Sequence, residues 1–192
     1  ICLSTQVGCA VDCSFCATAK MGFVKNLSVG EIIDQYFQLE KLSDTKITNV
    51  VFMGMGEPFL NYKSSIAAAK LLNHEKGINL GARRITISTA GIIGKIKKFT
   101  NEKHPFRLAV SLNGSNQDQR LQIMPITKNQ TFQNLLEAIK GYTNQSRKRI
   151  TIEYVLIEGI NNSKKDSLKL IEILSHIKCK LNVIPYNEID SI

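Results

Sequence analysis

The sequence predicts an α/β fold. Three observations carry this expectation: six short runs rich in β-branched residues, five longer segments with apolar residues at helical spacing between them, and capping residues where those segments begin. Alternation of strand and helix implies parallel strands joined by right-handed crossovers. Six strands are too few for a closed eight-stranded barrel, so a doubly wound open sheet and a partial barrel both satisfy the pattern.

The expected strands are residues 2–7 (CLSTQV), 48–54 (TNVVFMG), 83–88 (RRITIS), 106–112 (FRLAVSL), 150–157 (ITIEYVLI) and 180–186 (KLNVIPY). Helices are expected over residues 28–42, 62–73, 91–100, 131–144 and 164–178. Ser28 followed three residues later by Glu31 is a capping box. Behind it Ile32, Ile33, Tyr36, Phe37 and Leu39 form an apolar stripe. Asn162 or Ser163 can cap the helix carrying Leu168, Ile171 and Leu174.

The chain has 192 residues, 43% of them hydrophobic, enough for one domain over residues 1–192 with no disulfide staple. It starts without Met and reads as a core domain whose N-terminal accessory region and C-terminal extension lie outside it. No run reaches the roughly 18 apolar residues of a membrane span, so no membrane-spanning helix is expected. A net charge of +9 favours a polyanionic partner, and the absence of Trp leaves no obvious platform for stacking bases. Arg83–Arg84, Lys95–Lys97–Lys98, Arg147–Lys148–Arg149 and Lys164–Lys165 are candidate phosphate contacts.

In parallel βα folds the chemistry gathers at the C-terminal strand ends. Those ends hold Cys9 and its neighbours, Gly54 to Glu57, Ser88–Thr89, Ser111 to Asn113, Glu158, and Pro185 to Asn187. The stretch "STQVGCAVDCSFCATAKMGF" places Cys9, Cys13 and Cys16 in a Cys-x-x-x-Cys-x-x-Cys spacing. Thiolates suit zinc or iron–sulfur clusters. A structural zinc site closes with four ligands, whereas three cysteines leave one iron of a [4Fe–4S] cluster open to a substrate. Zinc completed by Cys2 or by His74, His104 or His176 is the alternative, but no His lies at paired ligand spacing. Five unpaired-looking cysteines without a secretory signal point to a reducing, cytoplasmic setting. Phe15, just before Cys16, can pack or shield a cluster from water. By itself Cys2 reads as a buried strand cysteine.

The three-cysteine motif opening a βα domain resembles the radical S-adenosylmethionine (SAM) superfamily. The resemblance implies a partial (βα)6 TIM-like barrel, a [4Fe–4S] cluster held by Cys9, Cys13 and Cys16, and SAM on the open iron as the source of a 5′-deoxyadenosyl radical. "ITNVVFMGMGEP", "RRITISTAGI", "IMPI", "ITIEYV" and "NVIPYN" further resemble the RlmN family of dual-specificity RNA methyltransferases. That family methylates carbon 2 of adenine in 23S ribosomal RNA (rRNA) and in transfer RNA (tRNA). A related enzyme methylates carbon 8 instead.

The resemblance assigns SAM contacts to Gly56, Glu57, Ser88, Ser111, Leu112, Asn113 and Asn187. Asn113 departs from the family, which usually has His there. The resemblance also gives Cys2 a catalytic role. A second cysteine, in a C-terminal extension, is methylated first, and its methyl carbon adds to the adenine. Cys2 then removes the ring proton, and a disulfide with the other cysteine releases the product. Flavodoxin or a similar reducing electron donor is implied as a further partner. Cys179 precedes the last strand, lies at the opposite rim and is read as structural. The chain alone is therefore expected to bind cluster and SAM without methylating RNA.

Overall fold

The computed structural model describes residues 1–188. They form two compact units: Ile1–Ala10, Thr18–Thr89 and Pro105–Leu108 make the first, and Val11–Ala17, Ala90–His104 and the chain from Ala109 onward make the second.

In the first unit, β1 (Gln6–Gly8) pairs antiparallel with β2 (Phe23–Asn26), and the short helix α1 (Ala17–Lys20) lies between them in sequence. Helix α2 (Val29–Lys41) starts on the predicted capping box: Ser28 Oγ accepts from Glu31 N, and Glu31 accepts from Ser28 N. Strand β3 (Val50–Phe52) leads into α3 (Tyr62–Asn73) and then into β4 (Ile85–Thr89), which runs parallel to β3. Val50, Phe52, Ile85 and Ile87 are fully buried, and α2 packs against α3 with Ile32, Tyr36, Ala68, Ala69 and Leu72 inside.

The second unit begins with α4 (Ile93–Asn101) and takes the C-terminal part of β5 (Arg107–Ser111). It continues through α5 (Gln117–Ile123), α6 (Phe132–Ser146), β6 (Ile150–Leu156), α7 (Lys164–Leu174) and β7 (Cys179–Pro185). β6 runs parallel to both β5 and β7. Ala109, Val110, Ile150, Ile152 and Tyr154 are buried, whereas β7 is exposed along most of its length. Ser163 caps α7 in a second capping box with Asp166, and Asn162 instead accepts from Gly159 N.

Three elements differ from expectation. The predicted first strand is only a single parallel bridge, Cys2 to Val51, followed by β1 in the hairpin. The ladder stops because Ser4 turns its backbone to a side chain: Ser4 N donates to Gln35 Oε1 at 2.8 Å and Ser4 O accepts from Gln35 Nε2 at 3.0 Å. Helix α5 was not anticipated; its Asn116 N-cap accepts from Gln119 N at 3.0 Å. The expected helix over residues 164–178 ends at Leu174.

Candidate functional site

The cysteine loop leaves β1 through Gly8, whose φ of 73° is left-handed. A Cβ at Gly8 would stand 1.7 Å from the Gly22 carbonyl oxygen, so only glycine fits. Cys9 N donates to that same oxygen at 2.9 Å, and the hairpin thereby fixes the direction in which the loop departs.

In the second unit, Asp12 adopts φ 57° and Cys16 N donates to Cys13 O at 3.1 Å, a tight turn between two of the thiols. Ser14 N donates to Ile123 O at 3.0 Å and so ties this turn to the end of α5. Cys9, Cys13 and Cys16 are all half-buried and in no disulfide, and Phe15 beside them is half-buried too. Among the described residues there is no group of three His, Cys, Asp or Glu side chains placed to share one metal ion. A four-iron cluster, in which each thiolate takes a different iron, asks for a wider spacing than one ion does. Three soft donors within one eight-residue stretch, none of them in a disulfide, fit such a cluster in kind and number.

The rim of the first unit follows β3. Gly54 and Gly56 lie against the Ser4–Gln6 backbone: a Cβ on Gly54 would meet Ser4 Oγ at 2.6 Å, and one on Gly56 would meet Gln6 Cβ at 2.4 Å. Met55 O accepts from both Thr5 N and Gln6 N, at 2.9 and 3.2 Å. The buried Gln6 side chain accepts from Glu57 N at 2.8 Å and donates to Asn26 Oδ1 at 2.8 Å. Glu57, itself buried, uses Oε1 to accept from Phe59 N at 2.8 Å and so braces its own turn. Asn61 adds two bonds from Nδ2, to Thr5 O and Leu27 O. Ser88 is half-buried on β4, on the face opposite Ile87 and Thr89.

On the second unit's rim Ser111 ends β5, and Leu112 is buried, its N donating to Glu153 O at 2.9 Å. Asn113 has φ 54° and is 1% exposed. Its Oδ1 accepts from Val155 N at 2.9 Å, its Nδ2 points at Met124 Sδ at 3.4 Å, and its carbonyl accepts from Asn161 Nδ2 at 2.9 Å. Both ends of the Asn113 side chain are thus engaged within the protein. Asn187 lies just past β7 and is exposed.

Sequence reasoning missed four residues: Gln6, Arg120, Glu153 and Asn161. Arg120 on α5 is 0% exposed. Its Nη1 donates to Ser111 O at 2.5 Å, to Leu112 O at 2.6 Å and to Met124 Sδ at 3.2 Å, and its Nη2 donates to Ala90 O. Burial pulls its pKa down to about 10, against the opposing influence of Cys13. Glu153 is buried on β6; desolvation raises its pKa, opposed by a 2.6 Å bond from Asn182 Nδ2. Arg120 stands apart from every basic cluster in the sequence, which is the one signal that could have singled it out.

The expectation of a buried Cys2 is overturned. The bridge to Val51 leaves its side chain exposed, because the strand ends there instead of being flanked on both sides. Protein on its inner side still withdraws water from the thiol and raises its pKa, opposed by a backbone hydrogen bond from Met53. Cys179 opens β7 opposite Ile150, at the start of β6, as its sequence position implied. His104 is buried against Phe99 and lies 2.7 Å from Glu102.

Residues 3–171 match the model of the radical SAM superfamily. The chain belongs to the radical SAM superfamily. Its fold is therefore the α/β radical SAM fold with parallel strands, and the cofactors of that superfamily are a [4Fe–4S] cluster and SAM. The chain is 48% identical over 97% of its length to a protein of Leptospira interrogans named probable dual-specificity RNA methyltransferase RlmN. It is 46% identical over 97% of its length to a protein of the same name from Aquifex aeolicus. It spans about half the length of these curated relatives, 53% and 55%. The crystal structure of a radical SAM methyltransferase from Sphaerobacter thermophilus matches all of this chain and 57% of that one, with TM-score 0.95 and 40% identity.

Proposed function

We propose that this chain is the radical SAM core of an RNA methyltransferase that modifies carbon 2 of adenine in 23S rRNA and tRNA. The observation that carries the reading is the loop of three cysteines outside any disulfide, Cys9, Cys13 and Cys16, in a chain nearly half identical to RlmN proteins along 97% of its length. Cys9, Cys13 and Cys16 hold the [4Fe–4S] cluster in this reading. Bound there, cluster and SAM supply the radical that activates an otherwise inert methyl carbon.

The remaining steps belong to the chain's own residues. Glu57 keeps Oε1 on Phe59 N, and its carboxylate is the acceptor type that suits the ammonium of SAM, a charge-assisted bond. Gly56 lets the turn approach closely, because no Cβ occupies the space against Gln6. Ser88 and Asn187 offer hydroxyl and amide groups to SAM, and Ser111 and Leu112 line the region of its ribose. Asn113, with its side chain engaged, contributes by setting the backbone at the end of β5. Cys2 is exposed and able to meet a base presented from outside; its role is to take the ring proton, and a disulfide to a cysteine in a C-terminal extension completes release.

RNA as the substrate agrees with the net charge of +9 and with exposed Arg83, Arg84, Lys97, Lys98, Arg147, Arg149, Lys164 and Lys165. No helix among the described residues is long and apolar enough to cross a membrane. A cytoplasmic site of action and a flavodoxin-class electron donor complete the proposal.

Anaerobic reconstitution tests the cluster: about four irons and four sulfides per chain are expected, lost in Cys9→Ala. Stoichiometric zinc without iron would overturn it. RNA affinity should fall steeply with salt, and a salt-independent affinity would point to another substrate. Mass spectrometry of nucleosides from RNA treated with the protein carrying this chain should show 2-methyladenosine; 8-methyladenosine would move the assignment to the related carbon-8 enzymes.

A further inference from the structure

Arg120 is a fully buried guanidinium, and no carboxylate pairs with it among the described residues. A charge buried without a countercharge is expensive, so such groups normally sit beside an acid. Here the donors go to neutral acceptors only: the carbonyls of Ser111, Leu112 and Ala90, and the sulfur of Met124. Nε has no partner at all. The surroundings hold the guanidinium tightly. Gly91 and Gly114 lack side chains where a Cβ would fall 3.0 Å from Nη2 and 2.9 Å from the Arg120 backbone nitrogen.

The helix that carries Arg120 also anchors the cysteine loop. Ser14 donates to Ile123 O through both N and Oγ, at 3.0 and 3.5 Å, so the Cys13–Cys16 turn is pinned to the end of α5. Arg120 lies one turn before Ile123 on α5, which places it beside the pinned Cys13–Cys16 turn, and a thiolate at Cys13 would favour its charged form. Ser111 and Leu112, whose carbonyls the guanidinium holds, are residues of the proposed SAM rim.

We propose that Arg120 is a positioning residue with two effects: it fixes the carbonyls at the end of β5, and it is the buried countercharge for the thiolate side of the cluster at Cys13. One-electron reduction adds a negative charge to a cluster. A fixed cation nearby favours the reduced form, and its loss makes the potential more negative. This inference rests on the reading that Cys9, Cys13 and Cys16 hold a [4Fe–4S] cluster. At an effective dielectric near 20, one unit charge even about 12 Å away shifts the ratio of reduced to oxidised cluster by about tenfold.

The test is a dye-mediated redox titration with Ti(III) citrate on reconstituted protein, without RNA, after iron and sulfide analysis. Failure to assemble a cluster in the unmutated protein would defeat the cluster reading itself, separately from this proposal. With cluster present, Arg120→Gln should lower the reduced fraction at a fixed potential about tenfold, and Arg120→Lys should stay within about threefold of the unmutated protein. Where Arg120→Gln does not fold, Met124→Glu decides. It sets a carboxylate beside Nη1 and neutralises the charge while the guanidinium keeps its carbonyls. Met124→Glu should shift the reduced fraction as Arg120→Gln does, and Met124→Gln should not. A cluster whose reduced fraction is unchanged in Arg120→Gln, or in Met124→Glu where Arg120→Gln fails, overturns the countercharge.

Discussion

Replacing Asn113 tests how the end of β5 is held. Three features at this position are independent. The φ of 54° favours Asn over most side chains. Oδ1 satisfies Val155 N at 2.9 Å. The residue is 1% exposed, so water cannot replace that bond freely. Asn113→Ala places a Cβ-bearing residue without polar atoms in left-handed backbone, at about 1 kcal/mol, and leaves the Val155 N–H without its acceptor, at about 1–3 kcal/mol. The sum is about 2–4 kcal/mol. Asn113→Gly relieves the backbone part and should cost about 1–3 kcal/mol. Asn113→His tolerates positive φ and can accept from Val155 N through a ring nitrogen, so it should cost less than Asn113→Ala. Urea denaturation followed by circular dichroism measures all three. An Asn113→Ala protein as stable as the parent would refute the bonding scheme. An Asn113→Gly protein less stable than Asn113→Ala would refute the backbone argument.

Two further perturbations follow from the same kind of geometry. Gly56→Ala drives a Cβ to 2.4 Å from Gln6 Cβ at a φ of 95°, so it should cost several kcal/mol, about 3, and weaken SAM binding in equilibrium dialysis; an unaltered melting temperature would contradict the close approach. Asp166 pays for burial but accepts from Ser163, Gln119 and Ser115, and these bonds outweigh desolvation to lower its pKa from 3.8 to about 2. A carboxyl with depressed folded pKa stabilises the protein above its unfolded value, so this stability is present above pH 4 and fades toward pH 2. The linked amount is about 2 kcal/mol. Asp166→Asn should flatten the fall in stability between those pH values, and an equally steep fall in the variant would show that another group is responsible.

Part of the site was legible because its information is local. Cys9, Cys13 and Cys16 fall within eight residues, and both capping boxes are written in four-residue words, Ser28 to Glu31 and Ser163 to Asp166. The five expected helices all exist; α2, α6 and α7 start on the capping side chains Ser28, Thr131 and Ser163, whereas α3 and α4 have no side-chain cap. The first strand was misjudged because its β-branched character is real but Gln35, 31 positions away, captures the Ser4 backbone. Helix α5 was missed because "QDQRLQI" is short and its only apolar positions, Leu121 and Ile123, set no period.

The sequence by itself determined the α/β class, the soft-donor loop and the membership that its motifs announce. Only the tertiary structure decided which polar groups hold the loops in place. Gln6 meets Glu57 across 51 positions, Asn113 meets Val155 across 42, and Arg120 meets Ala90 across 30. Pattern reading sees a period or a cap, which a single turn of chain creates. It does not see a buried donor choosing a distant carbonyl, because that choice is made only when the chain has folded and water has been removed from both partners.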